Sequence, residues 1–419
     1  MSLKDNILNL VKAAKKASRE LAVISTRQKD EALCKMASAL LSRKKYILSE
    51  NKKDLLAAQN QGYSTALIDR LTLNEKRIKE MADCLLETAK LKDPVGEVIR
   101  TFKRPNGLII RKVRTPIGVI GIIYESRPNV TSDCIGLCLK SGNAVILKGG
   151  KEALHSNEAI FKVLQGVLKK TKIPLSAINL VPSADRPAVN ILLKMDKYVD
   201  LIIPRGGEAL IRVVAKESTI PVVKHYKGVC HTFVSDKADL SMACKICFNA
   251  KVQKPGVCNA METMLVHKGI AKKFLPQMIR DFQMAGVEIR GCPETRRIIG
   301  DGVKAAIEED WSEEYLDLIL SVKVVKDIKE AIEHINQYGT QHSDTIVTKD
   351  KKEAQEFLNR VDSACLYVNA STRFTDGYQF GFGAEVGIST DKLHARGPMA
   401  VEELTTYKYM VYGQGQIRK

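Results

Sequence analysis

The stretch GNAVILKGGKEALHSN, residues 142–157, decides the fold of this chain. Its apolar run from Ala144 to Leu147 predicts a buried strand, and Gly149-Gly150 predict a tight turn. The residues that follow predict a helix, because their apolar positions fall on one face: Ile160, Val163, Leu164, Val167 and Leu168. A strand, a turn and a helix in this order indicate a βαβ unit of a parallel sheet.

Strands and helices continue to alternate along the chain. Apolar runs at 178–181 and 199–203 predict two further strands, and the second leads through a glycine-rich turn into another helix. A separate series begins with a helix from Asp239 and continues with a strand at 260–267, a helix at 274–284 and a strand at 287–290. We therefore predict an α/β fold with two doubly wound domains, the second of which begins near Asn249.

The two ends of the chain differ from this alternation. The first ~100 residues predict a helical layer, with an apolar face that includes Leu33, Met36, Ala37, Leu40 and Leu41. Two β-branched runs between Leu108 and Ile123 predict strands that form either a hairpin or a crossover. The Tyr- and Thr-rich tail after Leu404 predicts a strand that pairs with the segment near residue 110. Such a pair presents an edge that a second copy would cover, so we predict a homo-oligomer.

Composition indicates a soluble globular protein. The chain has 419 residues and a mass of 46.5 kDa, and 45% of the residues are hydrophobic, enough to form packed cores. No apolar stretch approaches the ~20 residues that cross a bilayer, and the lysine-containing N-terminus does not resemble a signal peptide. Ten cysteines without regular spacing predict free thiols in a reducing compartment. We therefore predict a cytoplasmic protein with no membrane-spanning segment.

The formal net charge of +18 is compatible with two kinds of partner. Nucleic acid is one, but basic residues alternate with acidic ones, and the chain has one Trp and no aromatic cluster typical of RNA binding. A small anionic substrate explains the charge equally well. We predict a small-molecule substrate and keep a basic nucleic-acid-binding module as the least favoured alternative.

Cys258 lies in the loop Pro255-Gly256-Val257-Cys258-Asn259, between a predicted helix and a predicted strand. Lys251 and Lys254 are near it in sequence, and positive charge favours the reactive thiolate. Cys258 is therefore the candidate nucleophile, although a buried structural role is the alternative for any one cysteine. Cys244 and Cys247 form a C-x-x-C pair within a predicted helix, without a second pair at metal spacing, so we predict core cysteines and no metal site.

Two turns are candidates for binding a dinucleotide. Lys148-Gly149-Gly150-Lys151 follows a strand and could present an ammonium group and backbone amides to ribose or phosphate, and Arg205-Gly206-Gly207 has the same form. Neither turn matches the complete G-x-G-x-x-G pattern, so each is also compatible with an ordinary βα turn. Arg127, His225 and Arg396 lie in predicted loops, where a cation could bind an anionic substrate or be solvated at the surface.

Four segments resemble one known family: YESRPNVTSD (124–133), GNAVILKGGKEALHSN (142–157), VCNAMET (257–263) and EVGISTDKLHARGP (385–398). They closely resemble the gamma-glutamyl phosphate reductases, which are members of the aldehyde dehydrogenase superfamily. The resemblance covers essentially the whole chain and implies an aldehyde dehydrogenase-like fold. It implies a cofactor-binding domain of residues 1–107, 128–246 and 387–403, a catalytic domain of 247–386, and a small β oligomerisation flap of 108–127 and 404–419.

The resemblance also implies a reaction, the reduction of L-glutamyl 5-phosphate to L-glutamate 5-semialdehyde by NADPH in proline biosynthesis. Cys258 would displace phosphate to form a thioester. Asn129 would donate its amide to the oxyanion, together with the N–H of the nucleophile. The resemblance implies that NADPH binds at Lys148, Gly149, Gly150, Lys151, Arg205, Gly206 and Gly207, with Lys151 or His155 at its 2′-phosphate.

One segment departs from the hydrolytic aldehyde dehydrogenases. Those enzymes carry a glutamate a few dozen residues before the nucleophile to activate water, whereas this chain has Lys224-His225-Tyr226-Lys227-Gly228 there. We therefore expect exchange with phosphate, held by Lys224, His225 or Arg127, in place of hydrolysis. A hydrolytic NAD(P)-dependent aldehyde dehydrogenase remains the alternative. Glutamate 5-kinase, which would supply the unstable substrate, is a further candidate partner.

Overall fold

The computed structural model describes residues 2–224 and 226–418. The chain forms two compact units, the first of Met1–Lys224, Gly381–Gly387 and Pro398–Lys419, and the second of His225–Phe380 and Ile388–Gly397. The change of unit at residue 224 comes earlier than the predicted boundary after residue 246. The reason is a strand at Cys230–Val234, which is hydrogen bonded into the sheet of the second unit and which the sequence analysis did not predict.

Helices come first in the chain and then alternate with strands. Up to residue 224 the elements are, in chain order, α1 (Leu3–Leu21), α2 (Thr26–Ser42), α3 (Lys44–Asn60), α4 (Thr65–Leu71), α5 (Glu75–Lys90), β1 (Val98–Lys103), β2 (Ile109–Pro116), β3 (Val119–Tyr124), α6 (Asn129–Lys140), β4 (Ala144–Gly149), α7 (Leu154–Leu168), β5 (Ile178–Leu180), α8 (Arg186–Leu192), β6 (Leu201–Arg205) and α9 (Glu208–Glu217).

After residue 225 the alternation continues to the last strand. The elements are β7 (Cys230–Val234), α10 (Leu240–Val252), β8 (Met261–His267), α11 (Lys268–Met284), β9 (Glu288–Gly291), α12 (Pro293–Ile299), β10 (Lys304–Ala305), β11 (Ile319–Val325), α13 (Ile328–Tyr338), β12 (Ser343–Val347), α14 (Lys351–Arg360), β13 (Cys365–Val368), β14 (Gly387–Ser389), β15 (Gly397–Met399) and β16 (Thr405–Tyr412).

The predicted helical layer is formed by helices α1 to α5. A capping box starts α2, in which the Ser25 hydroxyl accepts a hydrogen bond from the Gln28 N–H at 3.4 Å and the Gln28 side chain accepts one from the Ser25 N–H at 3.1 Å. The predicted apolar face of α2 is buried at Leu33, Met36, Ala37 and Leu40. Leu41 is exposed instead, because it lies at the border of that face.

The parallel sheet of the first unit has the strand order β5-β4-β3-β6. The strands that follow β3 in the chain therefore pair on both of its sides, so the direction of winding reverses between β3 and β6. Open α/β sheets bind ligands outside the carboxyl ends of the strands at such a reversal. Tyr124 and Arg205 end these two strands and are paired in register. Both predicted glycine turns follow strands at this carboxyl edge of the sheet.

The second unit contains a parallel sheet with the order β10-β9-β11-β8-β7-β12-β13 in the described part of the chain. Helices α10 and α11 cover one face, where Phe274 and Phe282 are buried, and α13 and α14 cover the other, where Ile332 and Phe357 are buried. This is the predicted doubly wound arrangement. It places the loop with Cys258 between α10 and β8, near the middle of the sheet.

The tail pairs with the segment near residue 110, as predicted. β16 runs antiparallel to β2, with Thr405 opposite Pro116 and Tyr412 opposite Ile109. The second neighbour of β2 is β1, which lies in a stretch predicted to be helical and is exposed on both faces, so it lacks the apolar alternation of a strand. β3 belongs to the parallel sheet, and residues 119–124 are therefore not part of this small sheet.

A search of the described residues for helices of transmembrane length and hydropathy finds none.

Candidate active site

Cys258 is half-buried in the loop between α10 and β8, and its main-chain carbonyl is contacted by residues of the same unit. The Cys230 thiol at the start of β7 lies 3.2 Å from the Cys258 carbonyl oxygen. Gly228 packs against the same peptide, and a Cβ at this position would stand 1.9 Å from that oxygen. The close approach therefore requires glycine at 228 and fixes the backbone that carries the thiol.

The other cysteines supply a contrast for Cys258. Burial raises the pKa of the Cys134, Cys138, Cys230 and Cys247 thiols, so these groups stay protonated at neutral pH. Cys244 is half-buried on α10, and desolvation raises its pKa as well. No group of three or more His, Cys, Asp or Glu side chains among the described residues is arranged to hold a metal ion.

Asn259, the residue after Cys258, joins the loop to a second segment of the same unit. Its side-chain amide donates to the Thr375 carbonyl at 2.7 Å, and its backbone carbonyl accepts from the Thr372 hydroxyl at 2.7 Å. The Asn259 side-chain oxygen accepts a hydrogen bond from Arg373. A cation therefore lies beside the candidate nucleophile, and the sequence analysis did not identify it.

The Arg373 guanidinium is also held by Gln253, whose side-chain oxygen accepts from the arginine Nε at 2.9 Å. Burial lowers the pKa of Arg373, while the negative charges of an ionised Cys258 and of Asp376 oppose that shift. The arginine therefore lies close enough to Cys258 for an electrostatic interaction. No motif in the sequence indicates this contact, because it joins two loops that are far apart along the chain.

Lys251, which the sequence analysis placed near the thiolate, has a different partner. Its ammonium nitrogen lies 2.5 Å from a Glu262 carboxylate oxygen, and both side chains are fully buried. Burial raises the pKa of Glu262 to about 7, against the effect of Lys251, and burial lowers the pKa of Lys251. The pair links the end of α10 to the start of β8, so its main effect is to hold the two elements that flank the Cys258 loop.

Lys148 is the penultimate residue of strand β4 in the first unit, at the carboxyl edge of the sheet. Its ammonium group donates to the carbonyl oxygens of Ala184 at 2.7 Å and Gly149 at 3.1 Å, and burial lowers its pKa. A Cβ at Gly149 would stand 2.3 Å from the Asn157 amide nitrogen. Gly149 is therefore required by packing within the unit.

The remaining residues of the Lys148 turn face different surroundings. The Glu152 carboxylate accepts from the Ser126 N–H at 2.6 Å, and it occupies the space where a side chain at Gly150 would lie. Lys151 and His155 are exposed near the start of α7. Packing thus explains Gly150, whereas the positive side chain of Lys151 is accessible to a ligand.

The turn Arg205-Gly206-Gly207 lies at the reversal of the sheet and leads into α9. The Glu125 carboxylate accepts a hydrogen bond from the Gly207 N–H at 3.0 Å, so a negative group already lies at the amino end of this helix. A Cβ at Gly206 would stand 2.3 Å from that carboxylate, whereas the space beside Gly207 is open. Of the two glycines, Gly207 is the one whose backbone a ligand can approach.

The other predicted residues lie in both units. In the first, Asn129 begins α6 and donates its side-chain amide to Asp133 at 2.8 Å, Arg127 lies exposed two residues earlier, and Lys224 ends this part of the unit. In the second, Arg396 donates to the Asp362 side chain at 2.8 Å and to its carbonyl at 2.9 Å. Asp362 thus balances the charge of Arg396. His225 lies outside the described residues.

Comparison with known proteins gives consistent matches. The profile of the aldehyde dehydrogenase family matches residues 2–293 and 306–410. The chain is 58% identical over 408 residues to the gamma-glutamyl phosphate reductase of Caldanaerobacter subterraneus subsp. tengcongensis, covering 97% of this chain and 98% of that protein. It is 56% identical over 419 residues to the enzyme of the same name from Thermodesulfovibrio yellowstonii, covering 100% of both.

A solved structure matches equally well. The crystal structure of gamma-glutamyl phosphate reductase from Thermotoga maritima superposes with a TM-score of 0.96 at 49% sequence identity, covering 99% of this chain and 100% of that chain.

Proposed function

The chain belongs to the aldehyde dehydrogenase family, and on this basis we propose that it reduces L-glutamyl 5-phosphate to L-glutamate 5-semialdehyde and phosphate with NADPH, as a step of proline biosynthesis. The observation that carries the proposal is the 58% identity over almost the full length to a gamma-glutamyl phosphate reductase. The position of Cys258 also supports the proposal. Its thiol is only half-buried, and an enzyme that forms a thioester with its substrate needs an accessible nucleophile.

The reaction begins with the Cys258 thiolate. Its sulfur attacks the acyl carbon, and after the C–O bond breaks phosphate leaves with the electron pair, so that a thioester remains. A nicotinamide cofactor, when bound, supplies the hydride that reduces the thioester carbon. In the resulting tetrahedral alkoxide the C=O bond re-forms as the C–S bond breaks and the sulfur keeps the electron pair, which releases the aldehyde and restores the thiolate.

Two donors are proposed for the oxyanion that forms in each step. One is the Asn129 side-chain amide and the other is the backbone N–H of Cys258. Donors aimed at a charge that develops only in the transition state contribute typically ~3 kcal/mol each.

The family uses NAD(P), and several features of the first unit suit a dinucleotide. These are the reversal of the sheet at β3, the open space beside Gly207 and the buried ammonium group of Lys148. We assign the preference for NADPH to Lys151 or His155. Both side chains are exposed and carry a positive charge when protonated, which would attract a 2′-phosphate. Arg127, Lys224, His225 and Arg396 are candidates for binding substrate anions, and Arg396 would have to share its charge with Asp362.

The reverse reaction, oxidation of the aldehyde, distinguishes the proposed reductase from a hydrolytic aldehyde dehydrogenase. Although residues 224–228 carry no carboxylate, the Glu314 side chain accepts a hydrogen bond from the Gly228 N–H at 2.8 Å, so a carboxylate does lie against this segment. The purified protein should oxidise glutamate 5-semialdehyde with NADP⁺ only when phosphate or arsenate is added. An equal rate of NADPH formation in phosphate-free buffer would instead establish the hydrolytic aldehyde dehydrogenase activity.

Assembly is proposed to involve the small sheet. Its strand β16 exposes Tyr407, Tyr409 and Val411, and a soluble protein would cover such an edge with a second copy. Light scattering should therefore give the mass of a homo-oligomer. A complex with glutamate 5-kinase stays a prediction, which mixing the two purified proteins in analytical ultracentrifugation would test.

A further inference from the structure

Arg373 is a half-buried cation that neutral groups hold in place. It lies in a short 3-10 helix after β13, and its guanidinium donates to the side-chain oxygens of Gln253 and Asn259, which are both amides. Amide oxygens orient a guanidinium but do not neutralise it. Its charge is therefore available to an anion that enters the site.

Two other half-buried arginines of the same unit, Arg290 and Arg396, are held by carboxylates. Carboxylates pair with Arg290 through Glu288 and Asp310, and Arg396 is paired with Asp362. The carboxylate that acts on Arg373 at longer range is Asp376, which accepts hydrogen bonds from the Tyr378 and Gln379 N–H groups. Among these arginines Arg373 thus has the charge least balanced by direct contacts.

The position of Arg373 relative to the nucleophile is fixed by Asn259. This residue follows Cys258 directly, accepts from Arg373 with its side chain, and is tied at its other polar atoms to Thr372 and Thr375. Arg373 makes one of these three hydrogen bonds and its neighbours Thr372 and Thr375 make the other two, so the segment that carries the cation is tied to the Cys258 loop. Arg373 therefore keeps its place beside the thiol without being sequestered by a counterion.

We propose that Arg373 binds the phosphoryl group of the substrate beside Cys258, an inference that rests on the proposed acyl phosphate chemistry. When the sulfur attacks, the S–C bond forms, the C–O bond to phosphorus breaks, and the leaving oxygen keeps the electron pair. Negative charge then grows on phosphate oxygens that adjoin the reacting carbon. A guanidinium near the thiol matches these oxygens, whereas the α-carboxylate lies at the far end of the substrate.

Alkylation of Cys258 tests the anion site without any substrate. Iodoacetate is an anion and iodoacetamide is neutral, so a cation beside the thiol favours the first, and mass spectrometry of the Cys258 peptide gives both rates. The iodoacetate-to-iodoacetamide ratio should fall about ten-fold in Arg373→Met and much less in Arg373→Lys. Exposed Cys34 is the internal reference. The matched control is Arg360→Met, which removes an exposed arginine of the same unit that pairs with Glu356.

Inorganic phosphate supplies a measurement on the unmodified protein. Excess phosphate should slow iodoacetate alkylation of Cys258 and leave Cys34 unaffected. In the oxidative reaction, Arg373→Met should raise the KM for phosphate about 10²-fold and change the KM for the semialdehyde much less. A residue that only supports the fold would move both constants and the alkylation by the neutral reagent together.

The outcomes separate this inference from the proposed function. An alkylation ratio that stays at the wild-type value in Arg373→Met, or no phosphate protection of the wild-type thiol, overturns the phosphate site. If the wild-type protein oxidises the aldehyde at the same rate without phosphate, the proposed function fails. A lowered ratio together with phosphate protection would still support an anion site at Arg373 in that case.

Discussion

The Lys251 ammonium group lies 2.5 Å from a Glu262 carboxylate oxygen, and this fully buried ion pair joins the two elements on either side of Cys258. Lys251→Met should lower the free energy of unfolding by about 3 kcal/mol, because it leaves the Glu262 carboxylate buried without its partner. Urea denaturation measures the change. The double variant Lys251→Met/Glu262→Leu should recover most of the loss, and a double variant as unstable as the single one would contradict this explanation.

Cys258→Ser should abolish turnover and leave folding and dinucleotide binding nearly unchanged, because a hydroxyl cannot replace the thiolate and the side chain is only half-buried. Steady-state assays and dinucleotide titration measure the two properties. Cys244→Ala, on the neighbouring helix, is the control and should retain activity. A Cys258→Ser enzyme that kept more than a few per cent of the wild-type rate would remove Cys258 from the role of nucleophile.

Asn129→Ala should lower kcat roughly 10²-fold with a smaller effect on KM, as expected for a donor that acts mainly in the transition state. The side chain also donates to Asp133, so unfolding curves should be recorded to verify that the helix start is intact. Initial-rate kinetics separate the two constants. An effect confined to KM would assign Asn129 to ground-state binding.

His334 should make the fold sensitive to acid. Burial lowers its pKa from 6.5 to about 2, with His231 and Lys323 adding to the shift. Between these values the unfolded chain binds a proton that the folded chain does not, so this residue reduces stability as the pH falls below about 6.5, by ~1.4 kcal/mol per pH unit.

The variant His334→Gln keeps an acceptor for the Lys323 ammonium group, which lies 3.2 Å from the His334 Nδ1 atom, and it removes the titrating ring. Denaturation at pH 7 and pH 5 should show a loss of stability about 2 kcal/mol smaller in the variant than in the wild type. Equal losses in the two proteins would show that His334 is protonated in the folded state.

Removal of the chain after Thr405 deletes β16 and exposes the edge of β2 with which it pairs. The truncated protein should therefore be a monomer or an aggregate. Multi-angle light scattering measures the mass, and activity is assayed on the same sample. An oligomer of unchanged mass and full activity would disprove the role of the tail in assembly.

The sequence was informative where apolar patterns repeat. The strands β4 and β6 contain uninterrupted runs of at least three apolar residues, and β8 contains such a run after Glu262 and Thr263; all three lie where the sequence predicts, as does β5 although Asn179 interrupts it. Strand β7 escaped prediction because His231 and Thr232 interrupt its apolar run, although all of its residues are buried. His231 of this strand pairs with Asp344, which a single sequence does not reveal.

The site was only partly predictable for a similar reason. Cys258 stands out locally, since its loop contains Pro and Gly between a helix and a strand. The charge beside it comes from Arg373, and the nearby Lys251 turned out to be paired with Glu262. Which cation faces the thiol depends on contacts between distant segments, and proximity along the chain is a poor guide to those contacts.

The tight packing of Gly228 under Cys258 limits which new activities could evolve or be engineered at this loop. Water activation needs a carboxylate near the thioester, and position 228 lies within the segment that the resemblance to the hydrolytic aldehyde dehydrogenases places at their glutamate. A side chain there would collide with main-chain atoms of the nucleophile loop, which cannot rotate away as a flexible side chain could. A single substitution at 228 would therefore displace the backbone that carries Cys258, whether or not the new side chain could act as a base. A hydrolytic descendant would have to place its carboxylate at another position.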